Sequence, residues 1–303
     1  MPDPRDRAPR VPAGFAALQL ALAISALSTT PILFRLSEIG PSATAFFRTL
    51  LAVPVFMLWL HLERVRGSEA GLRFSVSWRR EGPELLLAAM LFGGNILAYA
   101  WALRFTSVAN ASIISNLAPI FVSLLSFVLF GERPSRGFIA AMLAAIAGVV
   151  LLSTGGTGSL SGSLLGDVLA ASSALVFGGY LIIVARLRQR LVAATVMIWI
   201  GALSSLTPLF SALIGQEPML ARSLPGWGAL IGLAVVSYSI GQGLLTAALA
   251  YVSAAFSAVA LLSLPVISVV LGWVLLGEPI TVEQGIGGAV VLASIFFAKR
   301  ASR

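Results

Sequence analysis

The sequence predicts an all-α integral membrane protein: ten transmembrane helices in two inverted five-helix repeats around a central cavity. Three observations carry that prediction. The 303 residues are 58% hydrophobic and only 11% charged, with a mean hydropathy of +0.97, whereas a soluble domain carries about 25% charged residues. Apolar runs long enough to cross a bilayer, each needing about 20 residues, follow one another with short polar breaks and leave little chain for a soluble domain. The second half also repeats the first at an offset of 146 residues.

Charge, Gly and Pro punctuate the runs. The first span runs from Ala13 to Phe34, between the basic residues Arg5, Arg7 and Arg10 and the polar pair Arg35 and Glu38. A secretory signal is the alternative, with Ala26, Leu27 and Ser28 as a tolerable cleavage context. The run is longer than the usual 7 to 15 residues of such signals, and cleavage would destroy the repeat. Span two runs from Pro41 to Leu60, ahead of His61, Glu63 and Arg64, and span three from Glu84 to Leu103, ahead of Arg104. Span four (Ser107 to Phe130) stops at Gly131, and span five runs from Arg136 to Thr154. Span six (Gly166 to Ala185) meets Arg186, Arg188 and Arg190. Spans seven (Val192 to Ile214) and eight (Trp227 to Leu249) follow, then nine (Val252 to Leu276) and ten (Thr281 to Ala298), which Lys299 and Arg300 close. The resulting organisation is a tail over 1–12, a first repeat over 13–154, a linker over 155–165, a second repeat over 166–298 and a tail over 299–303.

Alternating the loops between sides gathers almost all the basic residues on one side. Arg5 to Arg10, Arg64 to Arg80, Arg133, Arg136, Arg186 to Arg190 and Lys299 to Arg303 fall there, against Arg35, Arg104 and Arg222 opposite. The positive-inside rule makes the rich side cytoplasmic, so both termini are expected inside a bacterial-type inner membrane and the span count is even. The net charge of +8 is thus topological: no basic helix face points to nucleic acid. With no cysteine and one histidine, disulfides, thiolate metal sites, Cys nucleophiles and Ser-His catalysis are excluded, and no cofactor is expected. An intramembrane enzyme is disfavoured because no ionisable pair converges within the spans.

At the 146-residue offset, Ser107, Ala109, Pro119, Leu125, Gly131 and Glu132 meet Ser253, Ala255, Pro265, Leu271, Gly277 and Glu278. With one gap, Pro134 meets Pro279, and the small-residue stripe Ala140, Ala144, Gly148 meets Gly285, Ala289, Ala293. Weaker matches pair Arg35 with Arg186, Pro54 with Pro208 and Asn95 with Gln242. A repeat of five spans forces the second copy to enter the membrane upside down, the architecture of transporters that alternate between two openings.

The stretch AYAWALRFTSVANASIISNLAPIFVSLLSFVLFGERP from Ala98, its second copy ALAYVSAAFSAVALLSLPVISVVLGWVLLGEPIT from Ala248, Arg48, and the Gly166-Asp167 pair opening span six resemble the EamA family of the drug/metabolite transporter superfamily. Within it the chain looks most like the YddG-type exporters of aromatic and other neutral amino acids. The resemblance implies ten helices as a basket around a central cavity, with alternating access. Spans five and ten would then lie at the periphery or in a dimer contact, for a monomer or weak homodimer.

The substrate-binding candidates are uncharged or aromatic, with one exception. Asn95 and Tyr99 stand at i and i+4 on span three, with Trp101 nearby, and Tyr238 and Gln242 share that spacing on span eight. Amides and phenols supply the donors and acceptors that a zwitterionic amino acid needs, and the rings stack on an aromatic substrate. The competing reading makes the amides helix-to-helix ties and Trp101 an interfacial anchor. Tyr180, beside Gly178 and Gly179, is a weaker candidate. Arg48 is the basic residue well inside a span, there either to recognise a substrate carboxylate or to snorkel and pair with Glu38. Pro119 and Pro265, mid-span, are hinge candidates or static bends. The Gly-Glu motif reads as a helix stop, the small-residue stripes as close packing, and the loop from Leu72 to Trp78 as a segment on the cytoplasmic membrane surface.

No carboxylate lies mid-span, where proton-driven carriers usually place one. The expected function is therefore export of neutral, foremost aromatic, amino acids by facilitated diffusion and alternating access, with a small-molecule substrate and membrane lipid as the partners. The alternatives are a proton-coupled exporter of another small metabolite or drug-like cation, or a lipid-linked flippase.

Overall fold

The computed structural model describes residues 13–66, 72–106, 108–154, 163–277 and 279–301. Readings that fall on the tail with Arg5, Arg7 and Arg10, on Ser107, on most of the 155–165 linker, on Glu278 and on Arg303 lie outside the described residues. The described chain is helical, and ten of its helices are long and apolar enough to cross a membrane. They are α1 (Gly14–Phe34), α2 (Pro41–Val65), α3 (Gly82–Phe105), α4 (Asn110–Phe130), α5 (Arg136–Ser153), α6 (Leu164–Leu187), α7 (Ala193–Ile214), α8 (Leu224–Ala248), α9 (Ala254–Val274) and α10 (Val282–Ala301). An isolated parallel β-bridge joins Arg73 to Leu191.

Proline explains where five of these helices break. Its ring lacks an N–H and clashes with the carbonyl four residues back, so the helix yields just before it. α1 turns at Ser28 and Thr29 before Pro31, α2 at Leu51 before Pro54, and α7 at Ser205 before Pro208. α4 breaks at Asn116 and Leu117 before Pro119, and α9 at Leu262 and Ser263 before Pro265. At both of the last two, shorter i→i−3 bonds carry the chain across: Leu117 N to Ile114 O (3.0 Å), and Leu262 N to Val259 O (3.1 Å).

Gly131 and Gly277 end α4 and α9 in the left-handed region, at φ 71° and 69°, with their amides bonded back into the last turn. That is the glycine stop expected at the end of an apolar run.

Two compact units emerge. The first gathers Met1–Met90 and Ile183–Ser253, so that α1 and α2 pack with α7 and α8. A small core of Ile39, Ala43, Ala212 and Leu230 sits at one end of it. The second gathers Leu91–Ile182 and Ala254–Arg303, and its most extensive packing is α5 against α10 around Ala145, Val149, Leu262 and Val291. A Cβ added to Gly287 would lie 2.6 Å from Gly148 O, so these two helices cross backbone to backbone.

The small-residue stripes are only partly at that crossing. Gly148 is buried in it, but Ala140 and Ala144 are exposed, as are Gly285, Ala289 and Ala293. α10 buries Gly287, Gly288, Val291, Ser294 and Ala298 instead. The expectation of close packing along the whole stripe is thus corrected: a period of four marks a face without saying whether that face meets a helix or the lipid.

The loop from Leu72 to Trp78 packs closely against the helices beside it. Thr195 donates to Phe74 O (2.8 Å), Arg73 N donates to Arg190 O (2.9 Å), Val192 N to Arg73 O (3.1 Å), and Trp78 meets Trp199 edge to face at 4.6 Å. Glu81, 1% exposed, accepts from Arg73 and from Ser77 N. Burial pushes its carboxyl upward, yet the bonds from Arg73 and Ser77 and the nearby positive charges hold it below the usual carboxylate range. The segment is bolted to the α6–α7 corner, while Arg79 and Arg80 remain exposed.

Candidate functional site

In the first unit, α2 and α8 bring Arg48 to Tyr238. The guanidinium carbon lies 5.3 Å from the ring centroid, within cation–π range. Tyr238 is fully buried and also meets Phe56 edge to face at 6.0 Å, and Gln242, one turn on, is 3% exposed. Glu38 is occupied elsewhere: its carboxylate accepts from Arg222 N (2.8 Å), Ser223 N (3.0 Å) and the Ser223 hydroxyl at the start of α8. Beside Arg48 stands the aromatic face of Tyr238.

Tyr238 and Gln242 lie in a stretch that composition did not announce. Leu233–Gln242 is a π-helix, bonded i→i+5, a form that is rare and gathers at functional sites. Ser239 Oγ donates to Ala234 O five residues back (2.7 Å), and Ser237 Oγ shares a hydrogen with Thr30 Oγ1 at 2.6 Å, at the break in α1. α3, its counterpart in the first repeat, is α-helical throughout Gly82–Phe105.

In the second unit, Asn95 Nδ2 donates to both the carbonyl (3.1 Å) and the hydroxyl (2.8 Å) of Ser173, tying α3 to α6. Tyr99 OH and Ser112 Oγ are 3.1 Å apart, and the ring packs against the core of Ala102, Ala111 and Ala170. Tyr180 is fully buried between Phe92 (4.9 Å) and Phe177 (5.8 Å). Trp101 is 45% exposed with Arg104 5.1 Å from its ring, the placement of an interfacial anchor. Asp167, at the head of α6, accepts from Thr106 Oγ1 (3.1 Å) and Asn110 Nδ2. Pro119 and Pro265 each open the second segment of a broken helix, at its first or second position.

Several polar groups escaped sequence reasoning because a lone Ser or Gln in an apolar run carries no spacing signal. Gln19 Oε1 and Ser204 Oγ in the first unit, and Ser115 Oγ and Ser257 Oγ in the second, are buried and make no hydrogen bond among the described residues. Leaving such an atom unmet costs about 1–3 kcal/mol. Arg188, counted with the loop charges, is in fact 1% exposed. It donates from Nε to Thr246 O (3.1 Å) and from its terminal nitrogen to Leu191 O, binding the end of α6 to the last turn of α8. Among the described residues no group of three or more His, Cys, Asp or Glu side chains could hold a metal ion.

The profile of the EamA-like transporter family matches residues 13–154 and again residues 164–299. An uncharacterized transporter of Archaeoglobus fulgidus is 25% identical over 285 residues, covering 92% of this chain and 94% of its own length. A pseudopaline exporter of Pseudomonas aeruginosa is 25% identical over 259 residues, 85% of this chain and 86% of its own. A probable terminal-alkyne amino-acid exporter of Streptantibioticus cattleyicolor is 29% identical over 206 residues, 66% and 67% of the two chains. A solved crystal structure superposes with a TM-score of 0.80 at 20% identity, covering 96% of this chain and 98% of that one, which shows the fold. Ten membrane helices, a family profile met once in each half and relatives that are themselves transporters lead to one conclusion: the chain belongs to the EamA-like transporter family and is a multi-pass membrane transporter.

Proposed function

We propose that the protein exports neutral amino acids, aromatic ones foremost, by facilitated diffusion through alternating access of its two repeats, with both termini in the cytoplasm. The observation that carries the reading is Arg48 set 5.3 Å from the buried ring of Tyr238, with Gln242 on the next turn of the π-helical stretch. A guanidinium attracts a substrate carboxylate, an amide both donates and accepts, and an aromatic face takes an aromatic side chain or an ammonium. Asn95 and Tyr99 in the second unit supply the same chemistry, their present bonds to Ser173 and Ser112 being exchangeable for bonds to substrate. Tyr180 acts as packing between Phe92 and Phe177, and Trp101 as a belt residue. A relative named as an amino-acid exporter supports the substrate class. Downhill transport is supported by the acids of the described spans, Glu63, Glu84, Asp167 and Glu283, which stand near helix ends.

The test is efflux from proteoliposomes preloaded with labelled tryptophan, phenylalanine, threonine, lysine or a quaternary cation, with and without a pH gradient. Tryptophan and phenylalanine should leave faster than the rest, regardless of the gradient. Tyr238→Ala, Gln242→Ala and Tyr99→Ala should each slow that efflux at unchanged membrane abundance. Movement of the cation alone, or a strict need for the gradient, would overturn the substrate or the mode respectively.

A further inference from the structure

The second unit carries a cleft lined by none of the residues assigned to transport above. It has a volume of about 550 Å³ and opens between the first two turns of α5 and the last two turns of α10. Gly137, Ala140 and Ala144 form one wall, Ser294 and Phe297 the other, and Arg300 stands at the mouth. The small α5 side chains leave the space, since Ala140 and Ala144 face outward there rather than into the α5–α10 crossing.

Ser294 distinguishes the cleft from a mere stripe of small residues. It is 5% exposed, lines the cleft, and among the described residues forms no hydrogen bond. By contrast, Ser28 in α1 and Ser172 in α6 return their hydroxyls to a carbonyl four residues back, to Ile24 O (2.8 Å) and Val168 O (2.7 Å). A hydroxyl kept available in an apolar wall calls for an acceptor brought by an occupant. Six residues separate Ser294 from Arg300, about 9 Å along a helix.

We propose that this cleft binds one anionic glycerophospholipid from the arginine-rich leaflet. Its phosphate meets Arg300, an ester carbonyl accepts from Ser294, and an acyl chain lies along the alanine wall toward Ala144. Charge selects the headgroup: Arg133, Arg136 and Lys299 stand at the same ends of α5 and α10, with Glu132 the one described acid beside them. Basic pockets between membrane helices on this side suit such headgroups. A second copy of the chain is the poorer occupant, because a two-fold contact places the same patch on both partners and would set Arg300 and its basic neighbours against their own copies.

Native mass spectrometry of the full chain, exposed to equal phosphatidylglycerol and phosphatidylcholine, tests this. One phosphatidylglycerol should be retained in preference to phosphatidylcholine. Arg300→Gln should lower that preference about fivefold, the worth of one basic residue near a membrane surface. Ala144→Leu, which fills the cleft from an exposed position, should abolish retention, with Ala140→Leu as a second filling should the first not fold. Ser294→Ala should weaken retention without changing headgroup preference, and Arg104→Gln should change neither. Equal retention of both lipids, or a preference that survives both Arg300→Gln and the filling variants, overturns the proposal. A lipid-free dimer that Ala144→Leu dissociates overturns it in favour of self-association.

Discussion

A guanidinium beside an aromatic ring is worth about 0.5–1 kcal/mol when exposed and about 2 kcal/mol when desolvated, so the half-buried contact of Arg48 with Tyr238 holds the charge in place without cancelling it. Gly131 and Gly277 make a simpler case. A Cβ at either would meet nothing within 4 Å, so the only penalty of an alanine is the left-handed backbone. Gly131→Ala and Gly277→Ala should each lower stability by about 1 kcal/mol, read as a fall in the thermal midpoint of detergent-purified protein with efflux retained. Both stops were legible as Gly after an apolar run, and Arg48 was legible as a charge out of place. Ser173, Ser112 and Thr30 were not, because a hydroxyl's partner is chosen by a neighbouring helix that spacing along one chain does not reveal.

Among the elements, the paired breaks stand out. α2 and α7 yield before Pro54 and Pro208, and α4 and α9 before Pro119 and Pro265, so each copy of the repeat bends at matching places. Alanine at 119 or 265 restores an amide donor and removes the ring clash, favouring a continuous helix. Pro119→Ala and Pro265→Ala should keep the protein abundant in the membrane while slowing efflux. Unchanged rates in both would make the breaks static bends. Proline wrote these breaks into the sequence, whereas the π-helical run of α8 left no trace, since i→i+5 bonding has no composition of its own. The face of α10 was misread for a related reason: Gly285, Ala289 and Ala293 make as regular a stripe as Gly287, Val291 and Ser294, and only the position of α5 tells them apart.

For the whole molecule, the repeat and the ten spans could be read from periodicity alone, because lipid demands long apolar helices and duplication preserves punctuation. The two compact units could not, since each mixes helices from both copies. The first unit shows how the copies are joined. Glu38, before α2, caps the start of α8 through Ser223 and Arg222, while Glu217, before α8, accepts from Ala43 N (2.9 Å) at the start of α2. Hydrogen bonds from the Ser223 hydroxyl and the Arg222 amide hold the Glu38 carboxyl below its usual range. The stabilisation from that lowered value is present above the unfolded carboxylate pKa and lost as pH falls through the folded one. Glu38→Gln should therefore lower the thermal midpoint at neutral pH and blunt its acid dependence, and adding Glu217→Gln should cost less than it does alone. This reciprocal capping also bears on inheritance. Two loops 174 to 185 residues apart in the chain are each other's missing ends, so a graft of either one from a relative would strip a cap from the helix that follows the other. They can be transplanted, or drift, only as a matched set.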